Sequence, residues 1–180
     1  MLQIIVPESE VFKPETNEFI TVKRTELSLE HSLVSISKWE AKYCKPFFKK
    51  DGKTSTELLY YIKCMTLNPK VSDDVYFALT PDNIKDITEY INSPMTATTF
   101  SEHNNGAPSR EIITSELIYY NMVALGIPFE CQKWHINRLL TLIKVCNIKN
   151  TPPKKMSKSE IMSRNAALNA ARRSALHSKG

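Results

Sequence analysis

The first thirty residues carry short apolar runs with the alternation that is typical of β-strands. Leu2–Val6 ends before a proline, Phe19–Val22 follows a turn-prone Pro-Glu-Thr-Asn stretch, and Leu27–Leu29 continues the alternation. A β element of this size is not stable alone and must pack on the rest of the chain. The pattern therefore predicts a hairpin or three strands over residues 1–30.

From about residue 30 the apolar positions recur at the three- and four-residue intervals of a helix. The first stripe consists of Leu29, Leu33, Ile36, Trp39 and Tyr43. Thr54–Glu57 forms a capping box ahead of a helix that carries Met65, and Thr80 before a proline opens another that stops near Asn92. A short helix is predicted between these two. The spacing predicts a mainly α body over residues 31–150.

Two further helices are predicted to form an α-hairpin over 109–146. Ser109 caps the first, which ends at Gly126. The second runs from about 130 to 146 and is apolar on most sides, so we expect it to be the central buried helix. A loop of four or five residues joins the two helices.

Residues 93–108 form a predicted loop that is longer than most connections, and long loops are often functional. It carries two large apolar residues, Met95 and Phe100. Two interpretations stay open with equal weight. These side chains either close over a bound client or only fix the loop to the core.

A Thr-Pro-Pro linker separates the body from a basic arm, residues 151–180. The whole chain has a formal net charge of +5, but the arm holds seven Lys or Arg and one Glu, so its charge is +6, whereas residues 1–150 carry −1. Ser157 with Glu160 forms a capping box before an alanine-rich run, which predicts a basic C-terminal helix. The candidate partner-binding residues are the two loop residues Met95 and Phe100 and the arm residues Lys154, Lys155, Lys158, Arg164, Arg172 and Arg173.

The partner of this arm has three possible chemistries. The arm either neutralises nucleic-acid phosphates, docks on an acidic or apolar surface of another protein, or only keeps the protein in solution. It lacks the interleaved aromatic residues that stack on bases, so nucleic acid is a weaker interpretation than a protein partner.

No motif in the chain indicates an enzyme. The four Gly form neither GxGxxG nor GxxxxGK[ST], and the four Cys have no CxxC pair or zinc spacing. Cys131 and His135 would share one helical face at i, i+4, as two metal ligands or as a nucleophile and base, but a structural role is favoured. Asp73 and Asp74 are interpreted as helix-opening acids, and Glu116 as the edge of an apolar stripe. We expect a non-enzymatic protein without metal or cofactor.

Nothing in the apolar pattern indicates a membrane protein. No apolar run approaches the roughly 20 residues that cross a bilayer. The N-terminus lacks the basic region of a signal peptide. These features predict a soluble protein of the cell interior.

Four segments, among them INSPMTATTF and IPFECQKWHINRLL, resemble proteins of long-tailed bacteriophages. They are Leu33–Tyr43 with Lys45–Phe47, Tyr61–Thr66, Tyr90–Phe100 and Ile127–Leu140. Over roughly 30–175 the chain resembles the tail assembly chaperones, which are encoded just ahead of the tape-measure protein.

This resemblance implies a function in virion assembly. Such chaperones coat the helical tape-measure protein in the host cytoplasm, recruit tail-tube subunits and are absent from the finished virion. A longer form made by ribosomal frameshifting is typical of them, and self-association is compatible with the role. The α-hairpin would then offer the client groove, and the arm would engage tube subunits or an acidic stretch of the tape measure. The alternatives are a structural or connector protein retained in the virion and a small nucleic-acid-binding protein that uses the arm.

Overall fold

The computed structural model describes residues 1–13, 17–49, 52–100, 112–151 and 157–176. It is 56% helical, and these residues form seven α-helices and four short strands in two hairpins near the N-terminus. The predicted fold class, mainly α with a small N-terminal β element, is confirmed.

The β element is an antiparallel ribbon of four strands. They are β1 (Leu2–Val6), β2 (Ser9–Lys13), β3 (Glu18–Val22) and β4 (Thr25–Leu29). Strand β1 pairs with β4, and β2 pairs with β3. Ile4 and Val6 of β1 alternate with exposed neighbours and are buried, as are Leu27 and Leu29 of β4, so one face of this pair joins the core. The sequence pattern missed β2, which has few apolar residues and forms by pairing with β3.

The ribbon is attached to the helical body through its β4 strand. The backbone N–H of Leu67 donates to the Ser28 carbonyl at 2.8 Å, and the Asn68 side chain accepts from the Ser28 N–H at 2.7 Å. At strand β1, the Asn83 side chain donates to the Ile5 carbonyl. These bonds satisfy backbone N–H and C=O groups that would have no hydrogen-bond partner in an isolated two-stranded ribbon.

Four helices follow the ribbon. They are α1 (Leu33–Tyr43), α2 (Ser55–Met65), α3 (Asp74–Phe77) and α4 (Pro81–Asn92). The capping box predicted at Thr54 and the N-cap predicted at Thr80 are confirmed, because both hydroxyls accept from a backbone N–H three residues later. The first helix begins at Leu33 and not at Leu29, since Leu29 still belongs to β4.

The central helix of the body is α1. It buries Leu33, Ile36 and Trp39 almost completely and contacts both α2 and the later helix α5 (Ser115–Ala124). The prediction that the second hairpin helix would be central is therefore wrong.

The predicted α-hairpin is interrupted. After α5 comes a 3-10 helix, Phe129–Lys133, and α6 (Ile136–Asn150) begins only beyond it. His135 forms a β-bridge with Ser32, and the N–H of Ile136 donates to the His31 carbonyl at 2.7 Å. This pairing holds the chain extended before α6, so one helix from 130 to 146 and a connection of four or five residues are both wrong. Ser109, the expected cap, lies outside the described residues, and the observed N-cap is Thr114.

The C-terminal helix is α7 (Lys158–Ala175). The Ser157 side chain accepts from the Glu160 N–H, and the Glu160 carboxylate accepts from the Ser157 N–H, which closes the predicted capping box. The chain divides into two compact units, Met1–Asn147 and Ile148–Gly180. Among the described residues, no helix combines the length and the apolar character that crossing a membrane requires.

Candidate functional site

Helix α5 carries large apolar side chains on two opposite sides. Its inner side buries Ile118 and Met122 in the core. Its outer side carries Tyr120 and Val123, which are 67% and 64% exposed. Glu116, also exposed, lies one turn before Tyr120 on the same side. The outer side of α5 therefore combines two large exposed apolar side chains with one carboxylate, a composition that suits an interface.

Further exposed apolar side chains flank α5 along the chain. Ile112 and Ile113 precede the helix and are about half exposed, and Phe129 of the 3-10 helix is 52% exposed. The Phe129 ring lies 6.4 Å from that of Tyr119, centroid to centroid. We call the five exposed side chains the α5 face. Its members are Ile112, Ile113, Tyr120, Val123 and Phe129.

A second apolar surface lies among α2, α3 and α4. It is a groove of about 360 Å³, which we call the α2–α4 groove. Its apolar lining includes Leu58, Leu59, Phe77, Leu79, Ile84 and Ile91. An adjacent hollow of about 300 Å³ shares Leu59, Tyr76 and Phe77 with it. Phe77, which is 62% exposed, therefore borders both hollows.

Acidic side chains lie along the helix that forms one wall of this groove. Asp82, Asp86 and Glu89 of α4 are all exposed, with Lys85 the one base in that helix. Residues 55–92 as a whole contain six acids and three bases, a formal charge of −3. The three acids of α4 follow one another at spacings of four and three residues, so they share one side of the helix, opposite the side on which Ile84, Ile87 and Ile91 line the groove.

The structure separates the two predicted loop residues. Phe100 is half-buried, and the Lys144 Nζ of α6 lies 4.1 Å from the centre of its ring, a cation–π contact. Met95 is 39% exposed and has a left-handed backbone with φ of 49°. Residues 101–108 of the predicted loop lie outside the described residues. Phe100 is thus seen in contact with the body, while Met95 faces solvent in part.

Four of the six predicted arm residues lie on α7. Lys158, Arg164, Arg172 and Arg173 are all exposed there. Lys154 and Lys155 lie outside the described residues. Every described residue of α7 is exposed, including its apolar side chains.

A buried polar cluster lies where β4, α2, α4 and the start of α6 meet. His31 is hydrogen-bonded through Nδ1 to the Tyr61 hydroxyl, and the His135 Nε2 lies 3.0 Å from the Tyr90 carbonyl oxygen. The Tyr90 hydroxyl donates to Glu30 Oε1 at 2.6 Å. The two imidazole rings meet edge to face with 5.0 Å between centroids.

Burial controls the ionisation of this cluster. It lowers the pKa of His31 to about 3, with further lowering from His135 and Lys53, and it also lowers the pKa of His135. Burial raises the pKa of Tyr61 and of Tyr90 above the ordinary tyrosine value. The imidazoles are therefore neutral near pH 7, and their bonds join separate chain segments in the core.

The other chemistry considered from the sequence has structural explanations. Cys131 and His135 do not share a helical face, because Cys131 belongs to the 3-10 helix and His135 to the extended link before α6. Asp73 forms an ion pair with Lys63 at 2.6 Å, and Glu116 lies exposed in the first turn of α5. Within the described ranges, no three His, Cys, Asp or Glu side chains are placed to hold a metal ion.

Sequence reasoning missed the α2–α4 groove and the buried cluster. The one sign of the groove in the sequence was Phe77, a large apolar residue. It belongs to a helix of only four residues, which leaves little room to bury its side chain.

Compared with known proteins, the chain matches no family model, no curated protein and no solved structure at a significant level.

Proposed function

We propose that this protein is a bacteriophage tail assembly chaperone that binds helical segments of the tape-measure protein on its α5 face. The observation that carries the proposal is the exposure of Tyr120 and Val123 on a helix whose opposite side already fills the core. The resemblance of four segments to tail assembly chaperones supplies the biological context. The function is one of binding, without a catalytic step.

The chemistry of the α5 face suits an amphipathic helix as the client. Aromatic side chains such as Tyr120 and Phe129 supply large contact area at a low cost in conformational entropy. A long, helical tape-measure protein carries apolar stripes that aggregate before the tail tube encloses them. Covering such a stripe with the α5 face keeps it in solution. In this proposal the chaperone acts in the host cytoplasm, recruits tail-tube subunits and leaves before the virion is complete.

Co-expression with the tape-measure protein tests the proposal. The wild-type chain is expected to keep the tape measure soluble and to co-purify with it. A double variant, Tyr120→Asp with Val123→Asp, is expected to lose both effects. Leu67→Asp is the matched control, because Leu67 is also exposed but lies outside the α5 face. Equal solubility with the double variant and with the wild type would remove the α5 face from the proposal, and an insoluble tape measure with the wild type would refute the chaperone function.

The exposed cations of α7 favour one competing function, the binding of nucleic acid. If that function is correct, binding to DNA or RNA weakens steeply with added salt and disappears when residues 151–180 are deleted. Mass spectrometry of purified virions tests the remaining alternative, because a structural or connector protein is present there in stoichiometric copies.

A further inference from the structure

The outer side of α5 carries one carboxylate, that of Glu116, beside its exposed apolar side chains. Glu116, Tyr120 and Val123 follow one another at spacings of four and three residues, so they lie on one side of the helix. All three are exposed. Helical neighbours at these spacings have Cβ atoms about 5–6 Å apart. A partner helix that packs on Tyr120 and Val123 therefore also meets the Glu116 carboxylate.

Hydrogen bonds at the start of α5 keep Glu116 ionised. Bonds from its own backbone N–H and from the Thr114 hydroxyl lower the pKa of Glu116, and they outweigh the opposing effect of burial. The Ser115 hydroxyl donates to Glu116 Oε2 at 3.4 Å and acts in the same direction. The positive end of the α5 dipole also favours an anion here. Glu116 is therefore negatively charged near pH 7.

This negative charge has no basic partner in the part of the chain that the structure describes. No ion pair there includes Glu116, and no basic side chain is among the causes that shift its pKa. Along the chain, residues 112–132 contain two acids, Glu116 and Glu130, but no Lys or Arg. The charge beside Tyr120 is thus left for a partner to neutralise.

An unpaired carboxylate discriminates among the helices that could cover it. A wholly apolar stripe would take the charge partly out of water without a compensating bond, which costs free energy. An acidic side chain on the partner would add repulsion between like charges. A Lys or Arg would instead form a charge-assisted hydrogen bond with the carboxylate. The outer side of α5 therefore favours a basic partner over a neutral one, and a neutral partner over an acidic one.

We propose that the α5 face selects amphipathic helices with a Lys or Arg one turn away from the apolar residues that contact Tyr120 and Val123, and that Glu116 binds this base. The inference names the chemistry of the client and so rests on the proposed function. The ion pair also fixes the register of the client. Among the successive apolar turns of a long helix, those with a base at the right spacing bind in preference to the others.

Three synthetic peptides test this selection. They share one amphipathic sequence of Ala and Leu and differ at a single position, one turn from a leucine of the apolar stripe, which holds Lys, Gln or Glu. Fluorescence anisotropy with the full chain at low salt is expected to show about tenfold tighter binding of the Lys peptide than of the Glu peptide. Added salt should reduce this difference, because it screens the charges. Equal affinities would refute selection by charge, yet leave the α5 face as an apolar client site.

Variants of Glu116 assign the preference to this carboxylate. In Glu116→Gln, the Lys and Gln peptides should bind about equally, and in Glu116→Lys the Glu peptide should bind best. Glu89→Lys is the matched control, since Glu89 is exposed on α4 outside the α5 face, and it should keep the wild-type order. Circular dichroism checks that each variant keeps its helical content. A wild-type order of affinities in both Glu116 variants would refute the proposal.

A double variant, Tyr120→Ser with Val123→Ser, tests whether the peptides bind on the α5 face. It removes apolar contact without adding charge, so it should bind the Lys peptide about tenfold or more weakly than the wild type. Undiminished binding would place the peptide elsewhere and refute the proposal. If the wild type binds none of the three peptides, both this inference and the apolar contact on which the proposed function depends are wrong.

Discussion

The carboxylate of Glu40 in α1 accepts a hydrogen bond from the backbone N–H of Ser115 at the start of α5, with 2.8 Å between Oε2 and the nitrogen. Its other oxygen accepts from the Phe47 N–H at 2.7 Å. One buried side chain thus joins the central helix to two segments that are distant from each other in sequence. The orientation of α5, and with it the α5 face, depends on this carboxylate.

Glu40→Gln should lower the free energy of unfolding by about 2 kcal/mol, because an amide nitrogen cannot accept from the second backbone N–H. Urea denaturation measures the change. Glu89→Gln is the control, since Glu89 is exposed on α4 and the substitution should cost less than about 0.5 kcal/mol. Equally small losses of stability in Glu40→Gln and Glu89→Gln would show that Glu40 does not hold α5.

The buried imidazoles should make the protein lose stability in mild acid. The folded pKa of His31 is about 3, below the ordinary value of 6.5, so between these pH values the unfolded chain binds more protons than the folded one. Stability therefore falls as the pH is lowered through this window, at up to about 1.4 kcal/mol per pH unit for one histidine. His135 adds to the slope in the same direction, because its folded pKa is also lowered.

Denaturation curves between pH 7 and pH 5 measure this slope, since most carboxyl groups titrate at lower pH. In His31→Gln the slope should become shallower, although the variant is less stable overall. An unchanged slope in that variant would mean that other groups cause the acid sensitivity.

Two capping boxes of the same type should have different consequences when they are removed. Thr54→Ala should lower the free energy of unfolding by about 1 kcal/mol, because α2 packs in the core. Ser157→Ala should leave the core transition unchanged and reduce only helicity, since α7 buries nothing. Thermal melts together with far-ultraviolet circular dichroism distinguish the two effects. A shifted core transition in Ser157→Ala would contradict this assignment.

Asn137 of α6 should control the segment that follows α4. Its side-chain Nδ2 donates to the Ser93 carbonyl at 2.7 Å and to the Ile91 carbonyl at 3.4 Å, which satisfies groups at the end of α4. In Asn137→Ala, limited proteolysis within 93–100 should accelerate and stability should fall by about 1 kcal/mol. Asn92→Ala, which removes an exposed amide on α4 itself, should leave the cleavage pattern close to that of the wild type.

Local signals predicted the parts of this fold that local interactions determine. The boxes at Thr54 and Ser157 need only residues three apart, and the strands Leu2–Val6 and Phe19–Val22 need only alternation and a turn. Those signals place the ends of helices and strands well. They carry little information about which helix becomes central, since α1 and α6 both have enough apolar residues.

The failed predictions depend on contacts between distant residues. The helix expected from about 130 was interrupted because His135 pairs with Ser32, a contact that no local pattern reveals. The α2–α4 groove needs three helices brought together, so Phe77 could be recognised as unusual but not as part of a binding surface. For the α5 face, the sequence showed the apolar residues of α5. It did not show which of them would remain exposed.

From Asn147 onward, every residue that the structure describes is exposed, and α7 closes its own capping box. Selection for a stable fold therefore constrains the sequence of this segment only weakly. If the arm binds a partner, mutations there are retained or removed according to that binding, while those before Asn147 must also preserve a core. Substitutions in the arm therefore need no compensating change in the core of the chain.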